Sequence, residues 1–233
     1  MGILNNLKKD TSITEAADSV GGLGALDSGV YKVTIKVAYL TKSKNGALCL
    51  NLQTETDKGR PLNGNIYITS GDAKNNKTTY TDKKGDEQYL PGFSLGNSLS
   101  QLVLSKDLSD LDDEPRTINL WNFDAKGEIP TKIDALLELH DKEVIIGVIK
   151  QLNDKDYKNP NGEIRESNEM DRFFDIDTNM TSSEVANKET EAKFIHTWIK
   201  KWKGEVRDRV TKGLKAPTSG APTAPAGKSL FED

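Results

Sequence analysis

Tyr31, Val33, Ile35, Val37 and Tyr39 alternate with Lys32, Thr34 and Lys36, and beyond a short polar turn Leu48, Leu50 and Leu52 alternate with Cys49, Asn51 and Gln53. A period of two sends successive side chains to opposite faces of a strand, so both runs read as half-buried strands. The Asn45-Gly46 pair between them supplies the positive φ that a tight hairpin turn demands. Two strands sharing one apolar face are not stable alone in water, so this hairpin commits the chain to a larger sheet over a core.

The rest of the chain extends that sheet. A turn at Asp57-Lys58-Gly59-Arg60-Pro61 leads into a third strand over Asn65–Thr69. Ser70 to Pro91 is polar and long, and a loop of that length in a compact domain either has a function or hides a small hairpin. Leu95, Leu99, Leu102 and Val103 recur at helical spacing and predict a helix over Ser94–Ser105. Strands are expected at Thr117–Trp121 and Lys142–Leu152, with a short helix over Lys132–His140 between them, and again at Glu169–Asp175. Phe194, Ile195, Trp198 and Trp202 predict an amphipathic helix over Thr190–Lys203. The expected class is mainly β with helices (α+β). An OB-like Greek-key barrel with a C-terminal helix fits, and so do other small barrels and sandwiches.

Three segments are expected: an N-terminal arm (1–27), one folded body (28–212) and a tail (213–233). Apart from Leu214, Lys215 and Lys228, the tail is Pro, Ala, Gly, Thr and Ser until it reaches Leu230, Phe231, Glu232 and Asp233. Such a composition cannot bury enough apolar area to offset the entropy of ordering, so it is expected to be a disordered tether with an apolar, acidic tip. A tip of that kind suits partner recruitment, through Leu230, Phe231, Glu232 and Asp233.

Several chemistries are excluded. Two histidines and the single Cys49 leave no His/Cys spacing for zinc. One cysteine also gives no disulfide framework, and a reducing compartment is expected, with Cys49 a buried, inert thiol. Gly227-Lys228-Ser229 lacks the glycine five residues earlier that a phosphate loop requires, because Pro222 stands there. Asp175, Asp177 and Asn179 open like a calcium loop, but Met180 and Ala186 occupy the glycine and glutamate positions. No serine lies in a nucleophile elbow. No enzyme activity, metal or cofactor is expected, and no apolar run is long enough to span a membrane.

The formal net charge is −4, yet Gly29 to Lys84 carries a local excess of six positive charges. Five of the six tyrosines lie between residues 31 and 89, interleaved with those bases. Single strands are bound by a positive groove that follows the phosphates and by aromatic rings on which bases stack. The candidate phosphate contacts are Lys42, Lys44, Arg60, Lys74, Lys77, Lys83 and Lys84. The candidate stacking residues are Tyr67, Tyr80, Trp121 and Phe123, whereas Tyr31 and Tyr39 are in phase with core residues.

Ile66-Tyr67-Ile68-Thr69-Ser70-Gly71-Asp72-Ala73-Lys74, Tyr80, Leu90-Pro91-Gly92-Phe93, Tyr39-Leu40-Thr41-Lys42-Ser43 and Trp121-Asn122-Phe123 together resemble phage-encoded single-stranded DNA-binding proteins. The similarity is to those of Schitoviridae-type podophages, runs from Leu26 to about Gly213, and takes in the Ser229-Leu230-Phe231 ending. It implies an OB-type core that coats single-stranded DNA without sequence preference in phage DNA replication and recombination, in the host cell cytoplasm. It also implies tail partners among replication or recombination proteins, a polymerase being one candidate. The residues leave two other readings open: a recruitment protein of recombination or transcription with incidental DNA binding, and a virion structural β-sandwich.

Overall fold

The computed structural model describes residues 24–122 and 125–211. Strands β1 (Gly29–Lys42), β2 (Leu48–Thr56) and β3 (Pro61–Tyr67) form an antiparallel meander. The polar segment after β3 does hide a hairpin, β4 (Thr79–Thr81) and β5 (Glu87–Tyr89), which forms a separate two-stranded sheet. Helix α1 (Pro91–Leu104) follows, then a ribbon of β6 (Glu114–Asn122) and β7 (Gly127–Ala135). Strands β8 (Glu143–Asp154) and β9 (Ile164–Phe174) return to the sheet, and α2 (Ser182–Ala186), α3 (Lys193–Trp202) and β10 (Val206–Asp208) complete the described chain.

The fold is mostly β with a few helices. Its main sheet runs β3-β2-β1-β8-β9, with all four pairings antiparallel. The sheet does not close: no ladder joins β3 to β9, although Met170 of β9 lies against Gly64 of β3, in the space a Cβ there would need. The two long strands also change neighbours. Strand β1 pairs β8 over Gly29–Thr34 and β7 at Tyr39 and Leu40, while β10 runs parallel to β8 at residues 150–152.

The core lies inside this curved sheet: Val33, Ile35, Ala38, Leu50, Leu52, Leu62, Ile66, Val144, Ile146, Val148 and Phe173 are buried in one cluster. Burying each large aliphatic side chain contributes about 1.5–3 kcal/mol. Helix α1 joins the same cluster through Leu99, with Pro91 setting its first turn. Gly92 and Gly96 allow it to sit close, Gly92 against the Tyr67 carbonyl and Gly96 against Leu108, Ile68 and Leu50. Leu26 is also buried in this cluster, and the Asn168 amide holds both backbone groups of Leu26 at 2.8 Å, so Leu26 packs with the body. A second cluster, Ile149, Phe174, Ile195 and Trp198, seats α3 on β8 and β9.

Two expectations are corrected. The alternation of β1 does not keep one phase, because a bulge at Lys36 shifts the register between Ile35 and Val37. Val33 and Ile35 therefore face the core, but Val37 and Tyr39 turn outward and pack against Ile133, Ala135, Ile118 and Leu120 of the ribbon. Lys132–His140 is not a helix. It is the end of β7 followed by one 3-10 turn at Leu137–Leu139, where Leu139 is buried. Among the described residues, no helix is long and apolar enough to cross a membrane.

Candidate nucleic-acid interface

The turn between β1 and β2 is not a free tip. Gly46 has φ 78°, and a Cβ there would overlap the Asp72 carboxylate, so the glycine serves both the turn and the contact. The Asp72 amide donates to the Asn45 carbonyl at 2.9 Å, and the Leu48 amide donates to Thr69 Oγ1 at 2.8 Å. Thr69 Oγ1 donates to Asn76 Oδ1, and Asn76 Nδ2 donates to Asp72 Oδ1 at 2.6 Å. The Ser70 amide donates to the Lys77 carbonyl, and Ser70 Oγ accepts from the Lys77 amide. These bonds, with the Lys42–Leu48 ladder pair, weld residues 42–48 to residues 69–77 as one platform.

Four candidate phosphate contacts, Lys42, Lys44, Lys74 and Lys77, stand on that platform. All four are exposed, and none forms an ion pair with another described residue. Lys32 and Lys36, lower on β1, differ: they reach Glu143 at 3.0 Å and Glu55 at 3.9 Å. An ammonium without a carboxylate has its charge available to a phosphate.

Tyr67 lies beside the platform at the end of β3, 57% exposed, and pairs across the ladder with Cys49. On its face the strip continues through Asn65 and Asn63 of β3 and Asn51 and Gln53 of β2. Asn51 is buried, and its amide donates to Thr41 Oγ1 at 2.9 Å. Cys49 is buried too, and burial pushes its thiol pKa up, as it does for the Tyr39 phenol. The neighbouring Tyr89 is exposed and stacks on Phe93, with ring centroids 5.1 Å apart and planes 30° apart.

The remaining candidates fall elsewhere. Tyr80 is on the β4–β5 hairpin, opposite Gln88, and Lys83 and Lys84 occupy its turn, where Asp82 Oδ1 accepts from the Lys84 and Asp86 amides. Arg60 lies in the β2–β3 turn at the far end of the meander, and its guanidinium donates to the Gly24 carbonyl. A strand of nine residues like β2 is about 30 Å long, which separates Arg60 from the lysine platform. Trp121, 58% exposed, pairs with Glu128, and the register across β3-β2-β1-β7-β6 puts it on the opposite sheet face from Tyr67. Phe123, Leu230, Phe231, Glu232 and Asp233 lie outside the described residues.

One aromatic in a basic setting escapes the sequence argument. Tyr157, in the β8–β9 turn, is 79% exposed, with the Lys158 ammonium 5.8 Å from its ring centroid. The adjacent Asp156 carboxyl is held below its ordinary range by the Lys158 and Asn159 amides. The signal was there in Tyr157-Lys158-Asn159-Pro160-Asn161-Gly162, a turn signature carrying an aromatic and a base.

No family model matches the chain, and no curated protein matches it.

Proposed function

We propose that the chain is a non-enzymatic, single-stranded DNA-binding protein, with phosphates held by Lys42, Lys44, Lys74 and Lys77 and bases stacked on Tyr67. One observation carries the reading: four lysines without a carboxylate partner among the described residues share a hydrogen-bonded platform beside an exposed tyrosine. Phosphate contacts release condensed counterions, and a stacked base contributes about 1–3 kcal/mol. The amide strip of Asn63 and Asn65 runs on from Tyr67 as a floor for further bases. Tyr80, Lys83 and Lys84 form an outlying contact, and Tyr157 with Lys158 another.

The strand order β3-β2-β1-β8-β9, with α1 between the third and fourth of these strands in the chain, supports an OB-type barrel left open between β3 and β9. With the similarity to phage single-strand binders, the role that follows is coating single strands in phage DNA replication and recombination in the host cytoplasm. Partners are recruited through Leu230–Asp233.

The experiment is anisotropy of a labelled oligo-dT titrated at several salt concentrations, with duplex of the same length as competitor. Affinity should fall linearly in a log–log plot, at about 0.7 per phosphate contacted, and duplex should compete poorly. Salt-independent affinity, or equal affinity for duplex, overturns the reading.

A further inference from the structure

Strand β6 has a single neighbour. It pairs with β7 along all nine residues without a register shift, and no other described strand pairs with its outer edge. Proteins blunt such edges with lysine, proline, bulges or short strands. The other exposed edges follow that rule: β3 starts at Pro61 and faces β9 with Met170 between them, and β10 has three residues. In β6 only the first three residues, Glu114, Pro115 and Arg116, act as guards. Thr117–Asn122 has no charge, proline or glycine. Among the described residues the ribbon's ladder pairs to the main sheet are two, Ala135 with Tyr39 and Asp134 with Leu40, beside the side-chain packing of Ile118, Leu120 and Ile133 on Val37 and Tyr39. A two-stranded ribbon is marginally stable alone, and this one exposes Trp121 and Ile129.

We propose that β6 pairs antiparallel with β6 of a second copy of this chain, about a two-fold axis through Ile118. The sequence is self-complementary in that register. Glu114 falls opposite the partner's Asn122, Arg116 opposite the partner's Leu120, and Thr117 opposite the partner's Asn119. Trp121 meets the partner's Pro115, which covers the exposed indole. No like charges face each other, and β7-β6 of each copy joins into one four-stranded sheet. An edge of nine residues buries less than the roughly 800 Å² per partner of a standard stable interface. The dimer is therefore concentration-dependent.

Sedimentation velocity of the full chain without DNA, from about 1 to about 200 µM, should show a monomer giving way to a dimer. Amide exchange along β6 should slow over the same range. Thr117 and Asn119 are exposed, so Thr117→Lys with Asn119→Lys should leave the monomer folded and set lysines against lysines across the axis. That variant should stay monomeric at the highest concentration. Mixing it with Thr117→Glu/Asn119→Glu should restore a dimer. A wild-type monomer at every concentration, β6 amides indifferent to concentration, or a dimer that tolerates the double lysine variant overturns the proposal.

Discussion

The lysines of the β1–β2 platform and the cations beside β9, Arg207, Arg209 and Lys150, are partnered in opposite ways. Arg207 pairs with Glu169 and with Asp171 at 3.7 Å, and lies 4.6 Å over the Trp202 ring. Arg209 pairs with Glu169, and Lys150 reaches Glu166 at 3.0 Å and Asp27 at 3.7 Å. Asp171 also accepts from the Trp198 indole at 2.8 Å. That network fastens α3 and β10 to the sheet. On the platform, Lys42, Lys44, Lys74 and Lys77 form no ion pair with another described residue, and backbone groups, Thr69, Ser70, Asn76 and the Asp72 carboxylate do the fastening instead. Net charge says little about which surface meets a polyanion, because the deciding quantity is how many cations are already neutralised.

The hardest test of that contrast is to replace Lys42, Lys44, Lys74 and Lys77 together by Ala. Oligo-dT affinity should drop about a hundredfold near 0.1 M salt, and the log–log salt slope should fall by about 0.7 for each lysine removed. The melting temperature should barely move, since exposed unpaired lysines contribute little to folding. An unchanged slope breaks the comparison. Arg207→Ala should do the reverse. It leaves Glu169 and Asp171 short of a cation and Trp202 without its cover, so stability should fall by about 2 kcal/mol in urea unfolding. DNA affinity, measured where the variant is folded, should be unchanged.

Pairing of this kind is what the sequence hides. The meander, the Asn45-Gly46 turn and helix α1 were legible because each depends on local periodicity or turn chemistry. The flip at Lys36 was not. Both faces of the later half of β1 are apolar, Ala38 and Leu40 toward the core and Val37 and Tyr39 toward the ribbon, so an added residue leaves the alternation looking unbroken. Ile133, Leu136 and Leu139 mimic a helical step because a strand end is followed at once by a 3-10 turn. Lys42, Lys44, Lys74 and Lys77 could be picked from charge and spacing, but Arg60 could not be told apart from them, since its separation arises from sheet direction.

Tyr67 sharpens the platform side. Tyr67→Ala should weaken oligo-dT binding by about 1–2 kcal/mol, while Tyr67→Phe keeps the ring and should bind as the wild type does. The salt slope should be the same in all three proteins, because the ring neutralises no phosphate. If Tyr67→Phe weakens binding as much as Tyr67→Ala, the hydroxyl is the contact and stacking is not.

Glu184 provides the smallest effect and a third way of satisfying a charge, by neither cation nor solvent. Its carboxylate accepts from the Thr181 amide and hydroxyl at the start of α2, and from the Lys193 and Phe194 amides at the start of α3. Partial burial raises its pKa, but the bonds from the Thr181, Phe194 and Lys193 amides and the Thr181 hydroxyl outweigh it, and the pKa ends below the ordinary carboxylate value. A carboxyl depressed in the folded state stabilises when ionised. Its contribution is therefore complete above the unfolded pKa of about 4.3 and disappears as pH falls through the lower folded value. Glu184→Gln should cost about 1 kcal/mol at pH 7, the scale of a capping interaction that is still partly exposed. The gap between variant and wild type in urea unfolding should hold from pH 7 to about 5 and close as pH falls through the lowered folded value, where the wild-type carboxyl gains its proton. A gap that persists at the acid end would assign the effect to side-chain shape, leaving the charge without a role.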